Sequence, residues 1–171
     1  MFKTQSLTIK TATLADLSVV EELLRKSYPV LLKPDYKPSV LTMALPMITK
    51  ANPRLLRSAS YYIVRDSEGV AVGVGDWTWI SPMGGAGRND LAHVRHVATD
   101  HRRTRQGIGR KLMSHIYQRA YDAGARRMDC VSTVTAEPFY AAMGFQRIGG
   151  VELSLAPGIR FPATQMHIVL Q

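Results

Sequence analysis

The stretch from Thr99 to Leu112, TDHRRTRQGIGRKL, limits what this chain can fold into more than any other. An apolar run ends at Val97-Ala98, arginines crowd positions 102, 103 and 105, and Gly107-Ile108-Gly109 opens a segment with helical spacing. That order predicts a strand, a basic loop and a helix start. Glycine at such a turn lets backbone N–H groups approach a ligand with no Cβ in the way, and the first-turn amides and helix dipole favour an anion. The pattern suits a phosphate-bearing ligand. It is not a Walker A loop, which ends in Gly-Lys-Ser/Thr, nor a dinucleotide fingerprint, whose third glycine-like position is Leu112 here. An isolated Gly-x-Gly also caps ordinary surface helices beside solvated arginines, so the residues downstream decide.

Two motifs at the right separation, Thr104-Arg105-Gln106-Gly107-Ile108-Gly109 and Phe139-Tyr140-Ala141-Ala142-Met143-Gly144-Phe145, carry a resemblance. Together they make the chain similar to the GNAT superfamily of acyl-CoA-dependent N-acyltransferases over nearly its whole length. The resemblance implies that amides from Arg105 to Arg110 hold the pyrophosphate of coenzyme A. Thr104 stands where the family usually has Arg or Gln, which changes one side-chain contact and leaves the backbone cradle. It also implies a sheet that splays beside Val97, Ala98 and Thr99, whose backbone groups then bind the thioester and pantetheine. Ser132 and Thr133, ending the next strand, are candidates for the pantetheine arm. Acetyl-CoA is the implied cosubstrate, and no metal is expected.

At 171 residues and 46% hydrophobic, one domain over residues 1–171 with a sizeable core is expected. No N-terminal apolar h-region and no run of about 18 apolar residues is present, so a cytoplasmic protein with no membrane partner is expected. The lone Cys130 excludes an internal disulfide and, among apolar neighbours, reads as a buried structural thiol. Of the formal charge of +9, most falls between His93 and Arg127, where nine Lys and Arg face two Asp. The positive charge thus surrounds the glycine turn, where a polyphosphate ligand meets it. Such a surface also binds nucleic acid without sequence preference, a weaker alternative resting on charge alone.

Taken in order, Leu7–Thr11 alternates as a strand and Thr13–Lys26 carries a helical stripe of Leu14, Leu17, Val20, Leu23 and Leu24. Three prolines make 27–38 a loop or broken helix, in which Tyr28 and Tyr36 either border an acceptor site, as in the resembling family, or pack. A second helix spans 39–49, and 60–65 pairs with 70–80 across a polar turn. Trp77 and Trp79 share one face there, either lining an acceptor pocket or packing in the core, and Asp76 on the other face, like Asp35 earlier, offers a charge for a cationic amine. Strand 91–98, helix 107–123, strand 127–134, short helix 137–143 and two last strands complete a three-layer α/β/α (α+β) sandwich on a mixed, largely antiparallel sheet.

Acyl transfer to an amine requires a neutral amine, donors for the oxyanion and a proton for the leaving sulfur. Tyr140 matches the family tyrosine that protonates the coenzyme A thiolate. A phenol of pKa about 10 can protonate a thiolate whose acid has pKa about 8.5 once the site orders both. His93 is the candidate base, because imidazole titrates near neutrality. Counted back from Gly107, it falls where histone acetyltransferases of the family place a glutamate and arylalkylamine N-acetyltransferases the first of two histidines, the second being Arg95 here. The reading is an N-acetyltransferase acting by direct attack in a ternary complex on a small-molecule or peptide amine, with a homodimer suggested by analogy. A non-catalytic acyl-CoA sensor is the alternative, which inert residues at 93 and 140 would have favoured.

Overall fold

The computed structural model describes residues 6–171. Eight strands form one open sheet: β1 (Thr8–Thr11), β2 (Tyr61–Arg65), β3 (Ala71–Thr78), β4 (Leu91–Val94), β5 (Ala98–Thr99), β6 (Arg127–Thr133), β7 (Gln146–Ala156) and β8 (Ile159–Val169). Their order is β1-β2-β3-β4-β6-β8-β7, with β5 added to β3, and every pairing is antiparallel except β4 with β6. Helices α1 (Leu17–Leu32), α2 (Pro38–Ile48) and α3 (Pro53–Leu56) lie against one face, and α4 (Ile108–Asp122) and α5 (Glu137–Ala142) against the other. The three layers enclose two cores. Ile108, Leu112 and Ile116 of α4 meet Val64, Val94, Met128 and Met166 on one side. Leu24, Leu32 and Leu41 meet Tyr61, Ile63, Val74 and Phe161 on the other. Among the described residues no helix is long and apolar enough to cross a membrane.

Glycines set how closely α4 sits on β3. A Cβ on Gly73 would lie 2.8 Å from Ile108 Cγ2, and one on Gly75 would meet Leu112 Cδ2 at 3.0 Å and the His96 carbonyl at 3.2 Å. The helix therefore rests almost on the strand backbone. Gly75→Val is expected to lower unfolding stability by about 1–3 kcal/mol through overpacking, read as a lower urea midpoint at unchanged slope. An unchanged midpoint would mean that α4 does not sit on β3 this closely.

Two expectations fail locally. Residues 27–32 continue α1 as regular helix through Pro29 rather than forming a loop or broken helix. The apolar stripe explains it: Tyr28 and Leu32 fall one and two turns beyond Leu24 and are buried. Burying two such side chains is worth about 1.5–3 kcal/mol each, enough to offset about 3 kcal/mol for an internal proline. The second failure is the strand expected over 91–98, which breaks after Val94 and resumes at Ala98. Three residues, 95–97, stand opposite only Gly75 and Asp76, a bulge in which the Asp76 carbonyl accepts from Arg95 N at 3.0 Å and its carboxylate Oδ1 from His96 N at 2.9 Å.

Candidate active site

That bulge positions the site. The parallel pairing of β4 with β6 ends at Val94 opposite Cys130, and β5 then follows β3 while β6 runs on beside β8. The sheet parts at this point. Asp100 N–H turns to β3, reaching the Val72 carbonyl at 2.9 Å. Successive amides alternate along a strand, so the Thr99 N–H faces the gap. A cleft of about 650 Å³ occupies the gap, bounded by Val97, Ala98 and Thr99 on one side and Thr133, Thr135 and Ala136 on the other. Tyr28, Leu31 and Leu32 of α1 form one end, and Phe139 and Tyr140 of α5 another.

The basic loop closes the remaining side. One 3₁₀ turn, His101–Arg103, is capped by Asp100, whose Oδ1 accepts from Arg102 N at 2.9 Å. Arg103 braces the loop: it reaches Asp66 of the β2–β3 hairpin at 3.2 Å and donates to Gln106 Oε1 at 2.9 Å. The chain then passes through left-handed backbone at Arg105 (φ 61°) and Gly107 (φ 79°) before α4 begins. Left-handed residues beside a helix start turn amides to one concave side, a shape that binds anions. Thr104, Arg105, Gly107, Ile108, Gly109 and Arg110 all line the cleft there, the two arginine side chains being exposed.

Gln106, expected with them, does not line the cleft, since its side chain is taken by Arg103. Gly109 has a different reason to be glycine from the one expected. A Cβ there would lie 3.0 Å from the Phe139 ring, so it admits α5 against α4. Gly107 is the residue that needs glycine for its backbone.

Tyr140 is 4% exposed, in edge-to-face contact with Phe139 and Phe145, each with centroids 5.3 Å away. Burial pushes its phenol well above the ordinary value, so it holds its proton. Tyr28 is raised as well, by burial first and then by the charge of Asp76.

Other expected site residues lie elsewhere. The Ser132 hydroxyl is buried and donates to the Thr133 carbonyl at 2.6 Å, outside the cleft lining. Tyr36 is a fastener, not an acceptor contact: its hydroxyl donates to the Pro162 carbonyl at 2.7 Å, accepts from Val134 N at 2.8 Å, and its ring stacks on Phe161 at 4.6 Å. Trp77 is buried in the α4 core, its Nε1 donating to Tyr62 Oη at 3.2 Å, with Trp79 edge-on at 5.2 Å and likewise outside the cleft lining. His93 does not line the cleft either. It sits on the opposite face of β4 from Ala92 and Val94, which pack into the α4 core, and burial holds its imidazole below the usual value against the opposing charge of Asp129.

Asp76 is no surface charge for a cationic amine. It is fully buried beneath α1, and burial raises its carboxyl to about 7. Leu31, Leu32, Thr135 and Ala136 had no signal beyond helical spacing from Tyr28 and proximity to Thr133.

A model of the GNAT acetyltransferase domain matches residues 34–169. No curated protein matches the sequence. Among solved structures, the PaiA N-acetyltransferase of Thermoplasma acidophilum, in complex with coenzyme A, superposes with a TM-score of 0.71 at 14% identity, covering 96% of this chain and 99% of its own. A GCN5-related N-acetyltransferase of Rhodopseudomonas palustris gives 0.72 at 18% identity over 99% and 98%. The ribosomal-protein-S18-alanine N-acetyltransferase of Escherichia coli gives 0.64 at 17% over 97% and 95%. At these identities the superpositions show the fold, while the domain match covers most of the sequence, and the chain belongs to the GNAT acetyltransferase family.

Proposed function

We propose that this chain transfers an acetyl group from acetyl-CoA to the amine of a small molecule or peptide, both substrates being bound together. The parted sheet carries the reading: it opens a cleft with an unpaired strand amide at one end and a left-handed, arginine-flanked helix start at the other. Acetyl-CoA, when bound, supplies an activated acetyl thioester. The amides from Arg105 to Arg110, with the Arg105 and Arg110 side chains, receive its phosphates, and Thr133 with Val97 and Ala98 flanks the pantetheine. The Thr99 N–H serves as an oxyanion donor, a role worth about 2.7–4 kcal/mol for a preorganised amide. Tyr140 holds a proton at its phenol oxygen for the leaving sulfur. His93, kept neutral by burial at the end of β4 just before the sheet parts, accepts the proton of the amine.

Titration calorimetry with acetyl-CoA tests the cofactor assignment. The wild-type chain is expected to bind in the micromolar range, and Gly107→Glu to show no heat. A Cβ at Gly107 meets no atom within 4 Å, so the glutamate side chain is accommodated and brings its charge to the anion site. The positive φ adds about 1–2 kcal/mol of strain, which circular dichroism will show is survived. Absence of heat and of any thermal shift with the wild-type chain would overturn the reading.

A further inference from the structure

At the level where β4 and β6 still pair, one face of the sheet carries an unbroken polar row. Thr78, His93, Asp129, His167 and Gln146 are Cα partners in series across β3, β4, β6, β8 and β7. Partners in register project from the same face. Ala92, Val94, Met128 and Cys130 point into the α4 core, so the row occupies the face that bears α1 and α2. Those helices cover mainly β2, β3 and β5 there, leaving Thr78, Asp129 and His167 half-buried and Gln146 exposed.

Asp129 stands at the centre of this row, between two imidazoles. Its Oδ1 is buried and has no hydrogen-bond partner among the described residues. A buried acceptor left unpaired is costly, so this oxygen calls for a donor. Neighbouring strands lie about 4.7–4.9 Å apart, which brings the ring of His93 within the reach of a carboxylate turning toward it from its β6 partner position. The charged groups that act on His93 are Asp129 on β6 and Arg95 beyond the end of β4; on the same sheet face, Asp76 follows on β3 and His167 lies one strand past Asp129. Asp129 favours the imidazolium, while burial and Arg95 disfavour it.

We propose that Asp129 is a positioning residue for His93: its carboxylate turns toward the ring, so that Oδ1, unpartnered in the structure, accepts a hydrogen bond from one ring N–H, which fixes the tautomer and leaves the other ring nitrogen bare for the amine's proton. The proton step rests on the acetyl-transfer reading; the Asp129–His93 hydrogen bond does not. In that step an ammonium N–H bond breaks, an N–H bond forms on His93, Asp129 stabilises the imidazolium, and the proton passes on to solvent.

Side-chain ¹⁵N spectroscopy of the uniformly labelled full chain tests this without acetyl-CoA or any amine. His93 is assigned from the signal lost in His93→Gln. In the wild-type chain one tautomer should dominate. Asp129→Asn, which keeps an acceptor oxygen but no charge, should lower the His93 pKa by about 1 unit, and Asp129→Ala should also mix the tautomers. His167→Gln should leave His93 unchanged. The proposal is overturned if Asp129→Asn moves neither pKa nor tautomer, or if only the His167 signal responds. If His93 responds but the chain transfers no acetyl group, the acetyl-transfer reading fails and the hydrogen bond stands.

Discussion

Tyr140→Phe is expected to slow acetyl transfer by about 10²–10⁴-fold, the usual contribution of one positioned proton donor, while acetyl-CoA affinity and Tm stay near wild type. The substitution removes one oxygen. Both edge-to-face contacts, with Phe139 and Phe145, belong to the ring and survive. The effect should fall on kcat, because a proton for the leaving sulfur is needed only as the thioester bond breaks. Burial raises the Tyr140 phenol well above its ordinary value of 10.0, so the wild-type protein should show no alkaline loss from this group anywhere below about pH 10. The check is thiol release in a full pH series on both proteins. Equal rates would mean that solvent protonates the sulfur.

The second large effect concerns the bulge that parts the sheet. Burial pushes the Asp76 carboxyl up to about 7, from the usual 3.8, and the His96 imidazole down to about 4, from the usual 6.5. Asp76 therefore holds its proton more tightly folded than unfolded. Its contribution is present at low pH and is lost as pH rises from about 4 to 7, by roughly 4 kcal/mol at 1.36 kcal/mol per pH unit. His96 has the opposite sign: the unfolded chain binds its proton more tightly, so its contribution is present above 6.5 and is lost as pH falls toward 4, by roughly 3 kcal/mol. Across the shared window the two slopes oppose, and wild-type stability should change little. Asp76→Asn keeps an oxygen for the His96 N–H but has no charge to bury. It should be more stable than wild type at pH 8 by a few kcal/mol, with stability climbing from pH 4 to 6.5 as the His96 slope is unmasked. Urea unfolding at five pH values measures both curves. Parallel curves for the two proteins would show that Asp76 is ionised throughout.

The parts of the fold with a long, uninterrupted period were legible in the residues. Ile108, Leu112, Ile116 and Ala120 recur every four positions, and α4 lies where they place it. The paired strands around Asp66–Gly69 and the last hairpin, turning after Ala156, also match their patterns. Legibility failed where one residue answers to two demands. Pro29 argues locally for a helix end, yet the burial of Tyr28 and Leu32 carries α1 past it. Tyr36 and Trp77 are residue types that suit an acceptor pocket as well as a core, and only their partners, the Val134 amide and Tyr62, show which use prevails.

The sequence by itself determined the family, the three layers and the place of the glycine turn before α4, because each rests on local matters: hydrophobic spacing, the backbone freedom of Gly107 and the density of arginine around it. Only the tertiary structure decided which side chains meet in the cleft, that Gly109 serves the contact with Phe139, and that Asp76 is a buried strut rather than a surface charge. The opening of the cleft and the place of Asp76 depend on a bulge of one residue between β4 and β5. A bulge changes the register of everything beyond it, and its stabilising contacts come from a strand about twenty residues away in sequence, where no local pattern can announce them.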